Sequence, residues 1–245
     1  SILKEAGMRV GLLGTVGYRG PEWKASAIRT TPESSDLQRF FRNFVKMQCS
    51  DVVVEVSSHA LMMERVYACR FRTAVFMNLT PDHLDYHNSM HHYFNAKRRL
   101  FFDTGYGPPD LSIINLDDPW GKSLSMTVPG RHTTFSLSEE ADFQVLEYCL
   151  GWTGTKVNLK LPDGELEVTT CLVGRFNLSN LLATWVKSIP TPIAPILLLS
   201  LFMFTVSVIS NISFSKGILR SEPDTDNKGK PFGAEIFRCF IETLF

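Results

Sequence analysis

Residues 51–60 read DVVVEVSSHA, and the fold turns on them. Asp51 to Val56 is a near-continuous apolar run. It lacks the in-out alternation of a half-buried strand, so it fits a parallel strand covered on both faces. Thr73 to Asn78 (TAVFMN) and Leu111 to Asn115 (LSIIN) repeat the pattern, and Arg9 to Leu13 (RVGLL) runs into Gly14 in the same way. Helical segments fall between these runs. Thr30-Thr31-Pro32-Glu33 opens one of them, with a Thr able to cap free amides, a Pro preset for the first turn and an acid favoured by the helix dipole. Leu37, Phe40, Phe41, Phe44 and Val45 then recur at helical spacing. Ser58 to Tyr67 reads as a crossover helix, and Met90 to Phe102 as another. The expected fold class is therefore α/β, a mostly parallel doubly wound sheet flanked by helices. Ligands bind such sheets at the carboxyl ends of the strands. There lie Ser57-Ser58-His59, Thr80 to His87, and Asp117-Asp118.

Beyond this core the grammar changes. Arg131 to Thr170 is built of short alternating stretches, with Pro162-Asp163-Gly164 turning Val157–Leu161 back into Glu165–Thr169. That predicts a small antiparallel β subregion appended to the sheet. Gly174 to Lys187 reads as a loop and one more helix. No charge occurs between Lys187 and Lys216, and Ile193 to Ile209 is apolar enough to raise the question of a membrane span, although Pro190, Pro192 and Pro195 weaken it. The chain of 245 residues carries 25 basic and 25 acidic side chains, so no basic excess favours nucleic acid. Five dispersed cysteines without a C-x-x-C suit neither a zinc site nor a disulfide framework, which points to reduced thiols in a cytosol.

Three constellations could carry chemistry. Glu55 is an acid inside an apolar strand, where a carboxylate is costly unless it is paired or binds a cation. Asn78 to His87 places two carboxylates and two imidazoles on one strand-end loop, a donor set that serves either a divalent metal or simply the surface. Five of the six histidines fall between His59 and His92. Lys97 lies on a helix whose apolar side is Tyr93, Phe94, Ala96 and Leu100, and by itself it reads as an ordinary solvated lysine.

Taken in order, GLLGTVGYR, TTPESSDLQRFF, VVVEVSSHAL, ERVYACRF, AVFMNLTPDHLDYH, YFNAKRRLF, INLDDPWG and LVGRFNLSNLLAT resemble the Mur ligases. The likeness runs from Gly11 to about Thr184 and is greatest to the MurE group, through TTPES, EVSSHAL and NLTPDHLDYH. The resemblance implies an ATP-dependent, amide-forming ligase of peptidoglycan precursor synthesis. Such enzymes convert the carboxylate of UDP-N-acetylmuramoyl-L-Ala-D-Glu into an acyl phosphate that a diamino acid attacks. It implies ATP as co-substrate and two Mg²⁺ ions, with Glu55, His83 and Lys97 as catalytic and metal-ligating residues, Lys97 in carbamylated form. By the same resemblance Thr30, Thr31, Ser57 and Arg65 contact the UDP-muramoyl-dipeptide, and Asn177 and Asn180 the nucleotide. Met63 replaces a residue that is often polar in the family. A cytoplasmic monomer without nucleic acid is implied, with membrane contact only through the tail.

Gly14-Thr15-Val16-Gly17-Tyr18 lacks the Lys and Ser/Thr of a phosphate loop. The expectation is a central ATP-binding domain over 1–187, truncated before its start and without the C-terminal domain, hence inactive alone. Residues 188–245 are expected to be a non-homologous tail of the sort that a frame change, an unspliced intron or a faulty gene model produces. The alternative is a non-catalytic remnant or binding module that keeps the substrate-facing loops.

Overall fold

The computed structural model describes residues 2–5, 7–152, 154–188, 209–212 and 237–243. In chain order its elements are α1 (Ile2–Glu5), β1 (Val10–Gly14), β2 (Gly17–Arg19), β3 (Lys24–Ala25), α2 (Ser34–Lys46), β4 (Asp51–Glu55), α3 (Ser58–Met62), β5 (Thr73–Phe76), α4 (Leu84–His87) and α5 (Met90–Phe102). There follow β6 (Leu111–Asn115), α6 (Pro119–Ser125), β7 (His132–Ser136), β8 (Phe143–Gly151), β9 (Gly154–Leu161), β10 (Gly164–Thr170), α7 (Arg175–Ser188), β11 (Ile209–Ile212) and β12 (Phe237–Thr243). The strands form one sheet in the order β10-β9-β8-β7-β6-β5-β12-β11-β4-β1-β2-β3. Pairing is parallel for β1 with β4 and from β5 through β8. It is antiparallel in β8–β9–β10 and in β1–β2–β3.

The apolar runs behave as parallel strands should, because successive residues feed two different cores. Val52, Val54, Phe76 and Ile114 join one cluster with Leu37, Phe41 and Phe44 of α2 and Tyr93, Leu100 and Phe101 of α5. Val53, Val75 and Ile113, one residue out of step, join the other with Leu178, Leu181 and Leu182 of α7. A side-chain period of two, buried on both sides, leaves no face for polar residues. All the parallel strands then end on one edge. Thr15, Glu55, the loop after Phe76 and the Asp117-Asp118 pair meet there.

Two expectations need correction. The segment Ser58–Tyr67 is helical only as far as Met62; Glu64 and Ala68 then adopt left-handed backbone, which breaks the helix into turns. Helix α2 starts at Ser34 with Glu33 at its N-cap, so Thr30 and Thr31 lie outside it and are free for other bonds. Gly14-Thr15-Val16-Gly17 is the turn of the β1–β2 hairpin, in register Gly14 opposite Gly17. Of the apolar run Ile193–Ile209, all but Ile209 lies outside the described residues. Among the described residues no helix is long and apolar enough to cross a membrane.

Candidate functional site at the carboxyl edge of the sheet

Glu55 ends β4, and its carboxylate closes on the β1–β2 turn. Oε2 accepts from the Thr15 amide at 2.7 Å and Oε1 from the Thr15 hydroxyl at 2.8 Å. Gly14 permits this approach: a Cβ there would lie 2.8 Å from Glu55 Oε2. Thr15 Oγ1 also meets Thr30 Oγ1 at 3.0 Å. The neighbouring Thr31 stitches the turn after β4, donating its hydroxyl to the Glu55 carbonyl at 2.8 Å and accepting from the Ser57 amide at 3.0 Å. Ser57 caps α3, its hydroxyl accepting from the Ala60 amide. Arg65 is only 7% exposed and donates to the Thr31 carbonyl at 3.2 Å, while pairing with Glu33 at 3.0 Å. Thus Thr30, by way of Thr15, and Thr31, Ser57 and Arg65 form one bonded wall beside Glu55. Met63, where the family often has a polar residue, turns its thioether to Arg65 at 3.1 Å.

The second wall comes from the loop after β5 and from α5. Asp118 fixes this loop by accepting from the Leu79 amide at 2.8 Å while capping α6 through the Trp120 and Gly121 amides. Asn115 adds a donor to the Met77 carbonyl at 2.7 Å. His83 opens α4 in left-handed backbone, φ 51°, a conformation that side chains other than glycine adopt only when neighbours impose it. Asp82 holds it there, accepting from the His83 amide at 2.7 Å with its second oxygen 3.4 Å from Nε2.

Lys97 overturns its residue-level reading as a solvated side chain. It is 2% exposed, because Tyr93, Lys97, Leu100 and Phe101 share the buried side of α5. Burial pulls the ammonium down to about 8, although the Glu55 and Asp82 carboxylates pull the other way. Its Nζ lies 5.2 Å from the Tyr93 ring centroid, and the His83 ring stands 6.1 Å from that same ring. Glu55, His83 and Lys97 are therefore gathered at one place. Asn177 and Asn180 are elsewhere, in the first turns of α7 over the other core, where Asn177 donates to the Val173 carbonyl at 2.9 Å.

Among the described residues no three His, Cys, Asp or Glu side chains form a metal cage. The donors fit a different kind of site. Mg²⁺ keeps several waters and takes one or two protein oxygens beside substrate phosphates, which Glu55 and a carbamylated Lys97 could supply. Residue patterns did not single out Thr15 and Asp82 as partners of the predicted ligands. The signal available for Thr15 was its place directly after a strand-ending glycine.

The model of the Mur ligase middle domain matches residues 1–186. A UDP-N-acetylmuramoyl-L-alanyl-D-glutamate–2,6-diaminopimelate ligase of Synechococcus elongatus is 44% identical over 196 residues, covering 77% of this chain and 38% of that protein. The ligase of the same name from Geobacter metallireducens is 38% identical over 199 residues, covering 80% of this chain and 39% of its own. A solved structure of a ligase with this name superposes with a TM-score of 0.70 at 27% identity, over 80% of this chain and 41% of that one. The chain thus spans about two fifths of the length of these relatives. With the family's middle-domain model matched across residues 1–186, on a sheet whose carboxyl edge gathers Glu55, His83 and Lys97, the chain belongs to the Mur ligase family.

Proposed function

We propose that this chain is the central domain of an ATP-dependent ligase that joins a diamino acid, 2,6-diaminopimelate by the relatives' names, to UDP-N-acetylmuramoyl-L-Ala-D-Glu. The observation that carries the reading is the burial of Lys97 beside two carboxylates at the strand-end edge. A lysine that sheds its proton near pH 8 offers a free amine to CO₂. Its Nζ bonds to the CO₂ carbon, and the proton leaves to solvent, giving an anionic carbamate. Two Mg²⁺ ions, when bound, would neutralise phosphate and carboxylate charges that otherwise repel in a dry site. Glu55 and the Lys97 carbamate supply anionic oxygens for them, and His83 supplies an imidazole nitrogen. Arg65, with Thr30, Thr31 and Ser57, orients the UDP-muramoyl-dipeptide through charge and hydroxyl donors. Asn177 and Asn180 are proposed for the adenine side.

The β1–β2 hairpin favours a narrower second reading. Because Gly14–Gly17 is a hairpin turn and Thr15 occupies Glu55, this turn supplies part of the substrate wall and not a phosphate cradle, as in a binding module. Calorimetry together with ¹³C resonance separates the two. UDP-muramoyl-dipeptide should bind, Arg65→Ala should weaken it at least about tenfold, which is ~1.4 kcal/mol, and a ¹³C carbamate resonance should appear with labelled bicarbonate and vanish in Lys97→Met. Dipeptide binding without the carbamate selects the binding module, and absence of both rejects the ligase reading.

A further inference from the structure

His87 sits apart from every role above, yet its ring is 5% exposed and touches three elements. Its Nε2 lies 2.8 Å from Ser58 Oγ, itself 2% exposed, at the start of α3. The ring stacks on Tyr93 of α5, with centroids 4.9 Å apart at 20°. Its amide closes α4 on the His83 carbonyl at 2.9 Å. Each contact is a turn or less from a predicted ligand: Ser58 is three residues past Glu55, Tyr93 is one helical turn before Lys97, and His83 is one turn before His87 itself. Helix α4 is otherwise held by contacts at its partly exposed side, Tyr86 against the His59 ring at 4.2 Å and Asp82 on the His83 amide. It is four residues long and flanked by two non-glycine residues in left-handed backbone, His83 at φ 51° and Asn88 at φ 61°. Such conformations persist only where surrounding contacts over-determine them.

We infer that His87, bonded to Ser58 and stacked on Tyr93, is a positioning residue that locks α4 to α3 and α5 and so sets the spacing of Glu55, His83 and Lys97. Its value to catalysis rests on the ligase reading, but the lock itself is a matter of geometry. Burial, then the charges of His59, His83 and Lys97, pull the ring below its ordinary pKa against the opposing Asp85 carboxylate. Phe in place of His keeps the stack and removes the bond. Gln returns a polar nitrogen near the Nε2 position.

The 245-residue chain and its His87→Phe, Ser58→Ala and His87→Gln forms should be compared by amide hydrogen exchange and by Mn²⁺ titration followed through water-proton relaxation. Amides of Tyr86, His87 and Asn88 should exchange about tenfold faster in H87F and S58A, with those of Ile113 and Ile114 unchanged and H87Q close to the parent. Mn²⁺ affinity should fall about tenfold in the first two and recover in the third. Unchanged exchange on α4, or a uniform rise that includes β6, overturns the lock. An exchange effect with Mn²⁺ affinity equal in all forms overturns its link to the ligands. If no form binds Mn²⁺, the link to the ligands is overturned while the exchange result still decides the lock.

Discussion

Lys97 concentrates the cost of the site in one side chain. Between about 8 and the ordinary lysine value of 10.5, the unfolded chain holds a proton that the folded chain has released. Stability rises with pH wherever the unfolded state binds more protons. The parent should therefore gain stability relative to Lys97→Met as pH climbs through that window. Below it the variant should be at least as stable as the parent, because an apolar chain of similar length replaces a buried cation. Urea midpoints measured from pH 7 to 10 check both; a constant gap between the two proteins would contradict the burial argument. Arg65 carries the opposite cost. Its guanidinium is buried while Glu33 is half exposed, so Arg65→Ala should lose about 1–3 kcal/mol, chiefly from the charged hydrogen bond to the Thr31 carbonyl. Thermal unfolding measures the loss, and Arg65→Lys should recover only part of it, since an ammonium cannot serve Thr31 and Glu33 as a planar fork does.

At the scale of elements, the edge of the sheet is held by short tethers from one strand end to the next. Asp117 ties β6 to β7, accepting from the Ser136 and Ser138 hydroxyls at 2.6 and 2.7 Å and from the Leu137 amide at 2.7 Å. Burial would raise this carboxyl, but those donors outweigh it and hold it below the ordinary value of 3.8. Its contribution is present above that value and is lost as pH falls through the lower folded value. Asp117→Asn should cost about 1–3 kcal/mol at pH 7, and the cost should shrink in acid, as denaturant curves at pH 7 and pH 3 would show. Gly121 packs α6 against β6 so closely that a Cβ would stand 1.9 Å from the Asn115 carbonyl oxygen. Backbone cannot yield as a side chain does, so Gly121→Ala should cost more than about 3 kcal/mol and is checked by loss of expression or a lowered melting temperature. The parallel strands were legible because two-sided burial writes itself as an unbroken apolar run, as in Val52-Val53-Val54. Strands β2 and β3 were not, since stretches of three and two residues are too short to carry a period. Thr31 looked like part of a helix start, and only the approach of β4 from elsewhere in the chain turned its hydroxyl toward Glu55. Lys97 misled for the same reason, because an isolated helix does not state what covers it.

At the scale of the whole molecule, the sheet is joined through its last strand. Strands β4 and β5 do not pair with each other; β12 lies between them, parallel to both, with Phe240 opposite Val53 and Ile241 opposite Ala74. This is a central position, where every backbone donor and acceptor on two edges needs a partner. The backbone register sets position 238 opposite Asp51 and position 242 opposite Glu55, so the strand runs the full length of β4. The expectation of a non-homologous tail over 188–245 falls on these strands and on residues outside the described ones, and it can be decided at the bench. If β12 completes the sheet, a chain ending at Ser188 presents two unpaired apolar parallel edges in the middle of its core. It should lose cooperative unfolding and associate through those edges, seen as a broad thermal transition and a polydisperse scattering profile. A Ser188-terminated chain that unfolds sharply at the parent's temperature and stays monodisperse would show instead that β4 and β5 hold together without β12, and that the tail has no structural part in the domain.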